Sequence, residues 1–136
     1  RLVGVERPQL TRLGRYGFHL GVGWSLAEEL QLFSMPDEEL MAVLLDRADN
    51  GRPPFPIAIA GEADPNIGIE WAKVRQSNSE KAVYGLVNMV RQSDALQRSR
   101  AKIAQSVWSA QSALRQLPPS QHRDAMEELA KSILDV

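Results

Sequence analysis

Two histidines are the first residues to weigh for chemistry, and they do not form a set. His19 and His122 lie far apart, and neither has a second ligand three or four residues away. Zinc there would need carboxylates delivered by the fold, which no spacing indicates; the plain reading is an incidental or hydrogen-bonded histidine. Gly21-Val22-Gly23 precedes an expected helix start, where backbone amides can hold a phosphate. The third glycine of a dinucleotide fingerprint is missing, and no Gly-Lys-Ser/Thr follows for a phosphate loop. Asp64, Asn66 and Glu70 around Gly68 offer oxygen ligands without the order of an EF-hand. A turn leading into a helix accounts for them. Glu28, Glu29, Asp37, Glu38 and Glu39 fall in first turns of expected helices, where they offset the helix dipole. Acid–base work would need one of them buried with a raised pKa, and none is marked out. With no cysteine, disulfides, thiolate metal sites and cysteine nucleophiles are excluded. The expectation is a non-enzymatic chain with no cofactor and no metal. An enzyme with fold-assembled carboxylates and His19 beside the glycine segment ranks third.

Phosphate contact is the more serious candidate. Arg91, Arg98 and Lys102 are separated by seven and four residues, so on one continuous helix they share a face, continued by Gln105 and Ser109. Lys73, Arg75, Lys81 and Arg100 lie near in sequence. Such a stripe suits phosphate contacts that carry no base information. Trp71, Tyr84 and Trp108 could stack bases, although aromatics at helical spacing are more often core. A helix-turn-helix frame over residues 57–75 fails at its first helix, where prolines crowd the chain and Glu62 takes a position expected to be buried. The bland alternative is a solvated basic face.

The helix surfaces themselves are the other candidate. From residue 101 to 113 the polar positions are mostly Ser and Gln, and only Lys102 is charged. A freely solvated helix normally carries Glu and Lys there. Small residues such as Ala101, Ala104 and Ala110 permit close approach by another helix. Ile103, Val107, Ala110, Leu114 and Leu117 run at steps of four, three, four and three, a seam barely two heptads long. It fits either a central helix of a bundle or a subunit interface.

The elements that position these residues are read from periodicity. A short helix is expected from about Gln9, then an irregular or extended segment through Gly14, Gly17, Gly21 and Gly23, since each glycine weakens a helix by up to ~1 kcal/mol. Ser25 with Glu28 reads as a capping box. Ser34 opens the next helix, with Pro36 in its first turn, and Asn50-Gly51 stops it. Residues 51–66 read as a stiff, extended crossover, with Ile57 to Ala60 a short strand at most. A short helix follows over residues 67–75. Ser77 with Glu80 caps an amphipathic helix carrying Val83, Leu86, Val87 and Val90. Ser93-Asp94 marks a kink or a new cap. Pro118-Pro119 ends the long stretch, and Ser120 caps a last helix with Met126, Leu129, Ala130, Ile133 and Leu134 on one face.

The fold class is therefore mainly α: five to six helices in a compact bundle, with a Pro/Gly-rich crossover and at most a two-stranded sheet. A length of 136 residues predicts a single domain that buries ~68% of its unfolded surface. It divides into an acidic half (24–50), the crossover (51–66), a basic long-helix half (67–117) and a C-terminal helix (120–135). The acidic half holds seven acids and one base; residues 70–117 hold eight bases and three acids. The two can neutralise each other, or the basic helix can face an acidic partner. A net charge of −1 exerts no overall pull on nucleic acid or membrane, and no apolar run reaches the ~18 residues of a span. No signal peptide is recognisable, which favours the cytoplasm. The start on Arg rather than Met reads as a trimmed or excised segment, with proteolytic maturation as the alternative. The leading function is a helical subunit, adaptor or inhibitor-type protein acting through helix surfaces, with a protein partner or itself. The runner-up is nucleic-acid binding.

Overall fold

A computed structural model describes residues 7–135; the opening residues 1–6 and Val136 lie outside the described residues. The described chain is mainly helical, with seven α-helices and no strand. They are α1 (Arg7–Gln31), α2 (Asp37–Asp49), α3 (Phe55–Ala63), α4 (Pro65–Ser77), α5 (Glu80–Gln92), α6 (Ala95–Arg115) and α7 (Gln121–Ser132). Short 3-10 turns follow α1 (Leu32–Ser34) and α7 (Ile133–Asp135).

The chain divides into two compact units. Unit 2 is Glu28–Arg100; unit 1 takes in described residues 7–27 and 101–135. In unit 2, α4 packs against α2, α3 and α5, and α5 also meets α2 and α3. Leu40, Leu44, Ile57, Ile67, Trp71, Val74, Leu86 and Val90 form its core. Helix α2 has Asp37, Glu38 and Glu39 in its first turn and Arg47 in its last, the charge order its dipole favours. Its apolar face is Leu40, Leu44 and Ala48, with Met41 beside it. It stops where Gly51 takes φ +78°, a left-handed conformation that favours glycine. Helix α4 ends the same way on Asn78, φ 48°, whose N–H donates to the Val74 carbonyl. Helix α5 buries Val83, Leu86, Val87 and Val90, as its period predicts.

Several expectations are corrected. The helix count is seven, not five to six. The stiff crossover is largely helix: α3 fills nine of its residues, and no strand forms at Ile57 to Ala60. Its prolines start the helix rather than prevent it. Pro54 is the N-cap residue and Pro56 sits in the first turn, where no amide is needed. Asp64 then closes α3 and caps α4, its Oδ1 accepting from the Asn66 N–H at 3.0 Å. Helix α4 accordingly starts at Pro65, two residues before the expected start.

The expected short N-terminal helix and irregular segment are one helix, α1, running through all four glycines. Ser25 and Glu28 are inside it and form no helix start. Ser34 ends a 3-10 turn and α2 begins at Asp37 on Pro36. Ser77 closes α4, donating to the Lys73 carbonyl, and Ser79 precedes α5 instead. The break at Ser93-Asp94 is real: the Ser93 hydroxyl donates to the Val90 carbonyl and accepts from the Ala95 N–H. Ser120 caps α7 by accepting from the Arg123 N–H at 3.0 Å. On α7, Ala130 is buried and Ile133 follows it inward, but Leu129 and Leu134 are exposed.

Candidate anion-binding groove

Most cations named for phosphate contact are engaged inside unit 2. Lys73 Nζ lies 2.9 Å from Glu70 Oε1, and Arg91 NH1 lies 2.9 Å from Asp37 Oδ1. Arg98 Nε is 2.8 Å from Asp94 Oδ1, and its NH2 donates to the Ile59 carbonyl at 3.1 Å. Arg75 is exposed and its guanidinium lies over Gly51, with NH2 only 3.1 Å from where a Cβ would stand. Lys102 is exposed on α6, in unit 1. The stripe is not continuous. Arg91 is on α5 and Arg98 on α6, and the break between them cancels the seven-residue step that placed them on one face. The acidic and basic stretches do meet through Arg91 and Asp37, while Arg47 pairs within the acidic stretch, 3.4 Å from Glu29 Oε1.

The other candidates are also placed. Trp71 is buried in the unit 2 core, and Tyr84 and Trp108 are exposed. Gly21 and Gly23 are inside α1, whose amides are committed to the helix, so they form no phosphate loop. Asp64 serves as a cap and Glu70 as an ion-pair partner. Among the described residues no three His, Asp or Glu side chains gather as metal ligands. The seam residues Ile103, Val107, Ala110 and Leu114 are buried within the chain, and Leu117 is half-buried. That side of α6 is core.

A different set of residues converges in unit 1. Arg12, Arg15 and His19 lie at i, i+3 and i+7 on α1; Trp108, Ser109, Ser112, Ala113 and Gln116 lie at the C-terminal end of α6 and just beyond it. Together they line an open groove of about 220 Å³. Three features hold its walls. The Tyr16 hydroxyl donates to the Met126 carbonyl at 2.9 Å, tying α1 to α7. Burial of Tyr16 raises its phenol pKa above the ordinary 10.0. At Gly23 a Cβ would stand 3.3 Å from Ser106 Cβ, so glycine there lets α1 and α6 approach closely. Arg12 NH1 donates to the Gln116 carbonyl at 3.0 Å, meeting the carbonyl end of α6 as a cation should. The His19 ring stacks edge-on to Phe18, centroids 5.3 Å apart.

Among the described residues no carboxylate lines this groove. No acid occurs on α1 from Arg7 to Ala27, nor between Asp94 and Asp124. Arg15 makes no ion pair with a described residue, and Trp108 is 61% exposed. Guanidinium groups and serine hydroxyls are hydrogen-bond donors suited to an anion, and an exposed indole stands in the same lining. Periodicity alone points to the apolar side of α1; the acid-free run with basic residues at i, i+3 and i+7 was the available signal for Arg12 and Arg15.

No family model matches the chain, and comparison with curated proteins finds no significant relative.

Proposed function

We propose that this chain is a non-enzymatic helical interaction protein, a small subunit that works through the helix surfaces of unit 1 and associates with itself. One observation carries the reading. Helix α6 has the Ser/Ala/Gln surface expected of a helix covered on more than one side, yet Ala101, Ala104 and Gln105 are exposed in the single chain. Phe18 and Trp24 on α1, 67% and 51% exposed, add to the apolar surface of the same unit. A partner is what would cover such residues. No described helix is long and apolar enough to cross a membrane, so a protein surface is the partner proposed for them. Light scattering after size exclusion tests this. Wild type is expected at a multiple of 15.1 kDa. Ala104→Glu, at an exposed position, is expected to return it to a monomer. A wild type that stays monomeric up to about 100 µM, some tenfold above a 10 µM dissociation constant, would overturn self-association.

Nucleic-acid binding is the second reading, favoured by the exposed cations Lys102 and Arg115 on the part of α6 in unit 1, a stretch that carries no acid. It predicts affinity that falls steeply with salt. Binding indifferent to salt would remove it.

A further inference from the structure

We propose that the groove between α1 and α6 is a binding site for a nucleoside phosphate, with the phosphate on Arg12 and Arg15 and the base on the face of Trp108. Arg12 donates one N–H to the Gln116 carbonyl, where the end of α6 meets only part of its charge, and further donors are available. Arg15, one turn along the same face, makes no ion pair with a described residue. Two guanidinium groups at this spacing repel each other, and their planar forks match phosphate oxygens. The described lining residues include no carboxylate to compete.

An indole 61% exposed beside two arginines offers the stacking platform that bases use. The hydroxyls of Ser109 and Ser112 are available for sugar or phosphate oxygens. Among the described residues the only aliphatic one in the lining is Ala113, which offers little to the apolar anchor of an acidic peptide. A volume of about 220 Å³ is below the ~300–1,000 Å³ of sites that engulf a whole ligand. It takes a phosphate and one ring face and leaves the rest in solvent, as a mononucleotide or a strand end would allow. The inference does not depend on self-association, and it gives the nucleic-acid reading a place on the molecule.

The test is titration of the full chain at low salt with a nucleoside monophosphate, a single-stranded tetranucleotide and inorganic phosphate, read by tryptophan fluorescence and calorimetry. Both nucleotide ligands are expected to bind and quench, with inorganic phosphate at least tenfold weaker. Arg15→Glu and Trp108→Ala, both at exposed positions, are each expected to weaken nucleotide binding tenfold or more while circular dichroism stays unchanged. Binding of the tetranucleotide alone would identify a strand as the source; equal binding of the monophosphate would identify the free nucleotide. No binding of either overturns the proposal, as does binding that both variants leave intact. Strand binding that survives both but is lost on reversing Lys102 and Arg115 sinks the groove and leaves the nucleic-acid reading standing.

Discussion

Glu29 offers the most exact trial of how this sequence holds its fold. It sits in the last turn of α1, where the carbonyl end of the helix disfavours an anion. Its carboxylate instead serves another helix. Oε2 accepts from the Phe55 N–H at the start of α3, and Oε1 lies 3.4 Å from Arg47 NH1. The N-cap residue of α3 is Pro54, which has no side-chain acceptor, so Glu29 supplies from a distant position the oxygen a capping residue would supply locally. A charge-assisted hydrogen bond of this kind contributes about 1.5–3 kcal/mol. The Arg47 pair, about a third exposed on both sides, adds ~0–1 kcal/mol. Because Glu29 keeps partial solvent contact, Glu29→Ala is expected near the low end, about 2 kcal/mol. Glu29→Gln keeps an acceptor and loses the charge, so about half that loss is expected. With a urea slope of roughly 1.5 kcal/mol/M, the midpoints should fall by about 1.3 M and 0.7 M. The assay is urea unfolding followed by the fluorescence of Trp71, buried in the same unit, with amide exchange at Ile57 to Ala60 as the local reading. Equal damage from Gln and Ala would refute the electrostatic account, and an Ala variant within about 0.5 kcal/mol of wild type, the scatter of ordinary surface substitutions, would refute the cap itself.

Two further perturbations probe the two units separately. Leu44 is fully buried in the unit 2 core, so Leu44→Ala is expected to destabilise that unit by about 2–5 kcal/mol in the same Trp71 titration. In unit 1, Tyr16→Phe removes the hydrogen bond to the Met126 carbonyl, with an expected loss of about 1 kcal/mol at pH 7. Burial raises this phenol, so its stabilisation is fully present below pH 10.0 and is lost as pH rises from there through the folded-state value. Melts at pH 7, 10 and 11 should therefore show wild type declining faster than the phenylalanine variant; parallel declines would refute the assignment.

The fold was legible where one face decides burial. Val83, Leu86, Val87 and Val90 are spaced for a helix and are all buried. The seam from Ile103 to Leu114 likewise points inward. Legibility failed where local and tertiary terms compete. Four glycines argue against α1, but Tyr16, Gly23, Ala27 and Leu30 repeat at helical steps and are buried, and packing outweighs propensity. Alternating Ile57 and Ile59 resembles a strand; both are buried because a nine-residue helix is covered on more than one side. Serines misled the helix starts at Ser25, Ser34 and Ser77, since a hydroxyl can bond within a helix as well as begin one. The surroundings of the cationic candidates were hidden for another reason. Sequence locates a charge, but only the fold brings Asp37 to Arg91 and the Ile59 carbonyl to Arg98.

That last distinction differs between the two units. In unit 2, Arg47, Lys73, Arg91 and Arg98 each have an acidic partner within 3.4 Å. Among the described residues of unit 1 the acids Asp124, Glu127, Glu128 and Asp135 are confined to α7 and the turn after it, with Arg123 3.5 Å from Glu127. The stretches of α1 and α6 in that unit carry only bases. Like charges at i, i+3, such as Arg12 and Arg15, weaken a helix by ~0.2–0.5 kcal/mol, and a single acid at an exposed neighbour would relieve it. Folding does not require the arrangement, and an anion arriving from outside would use it.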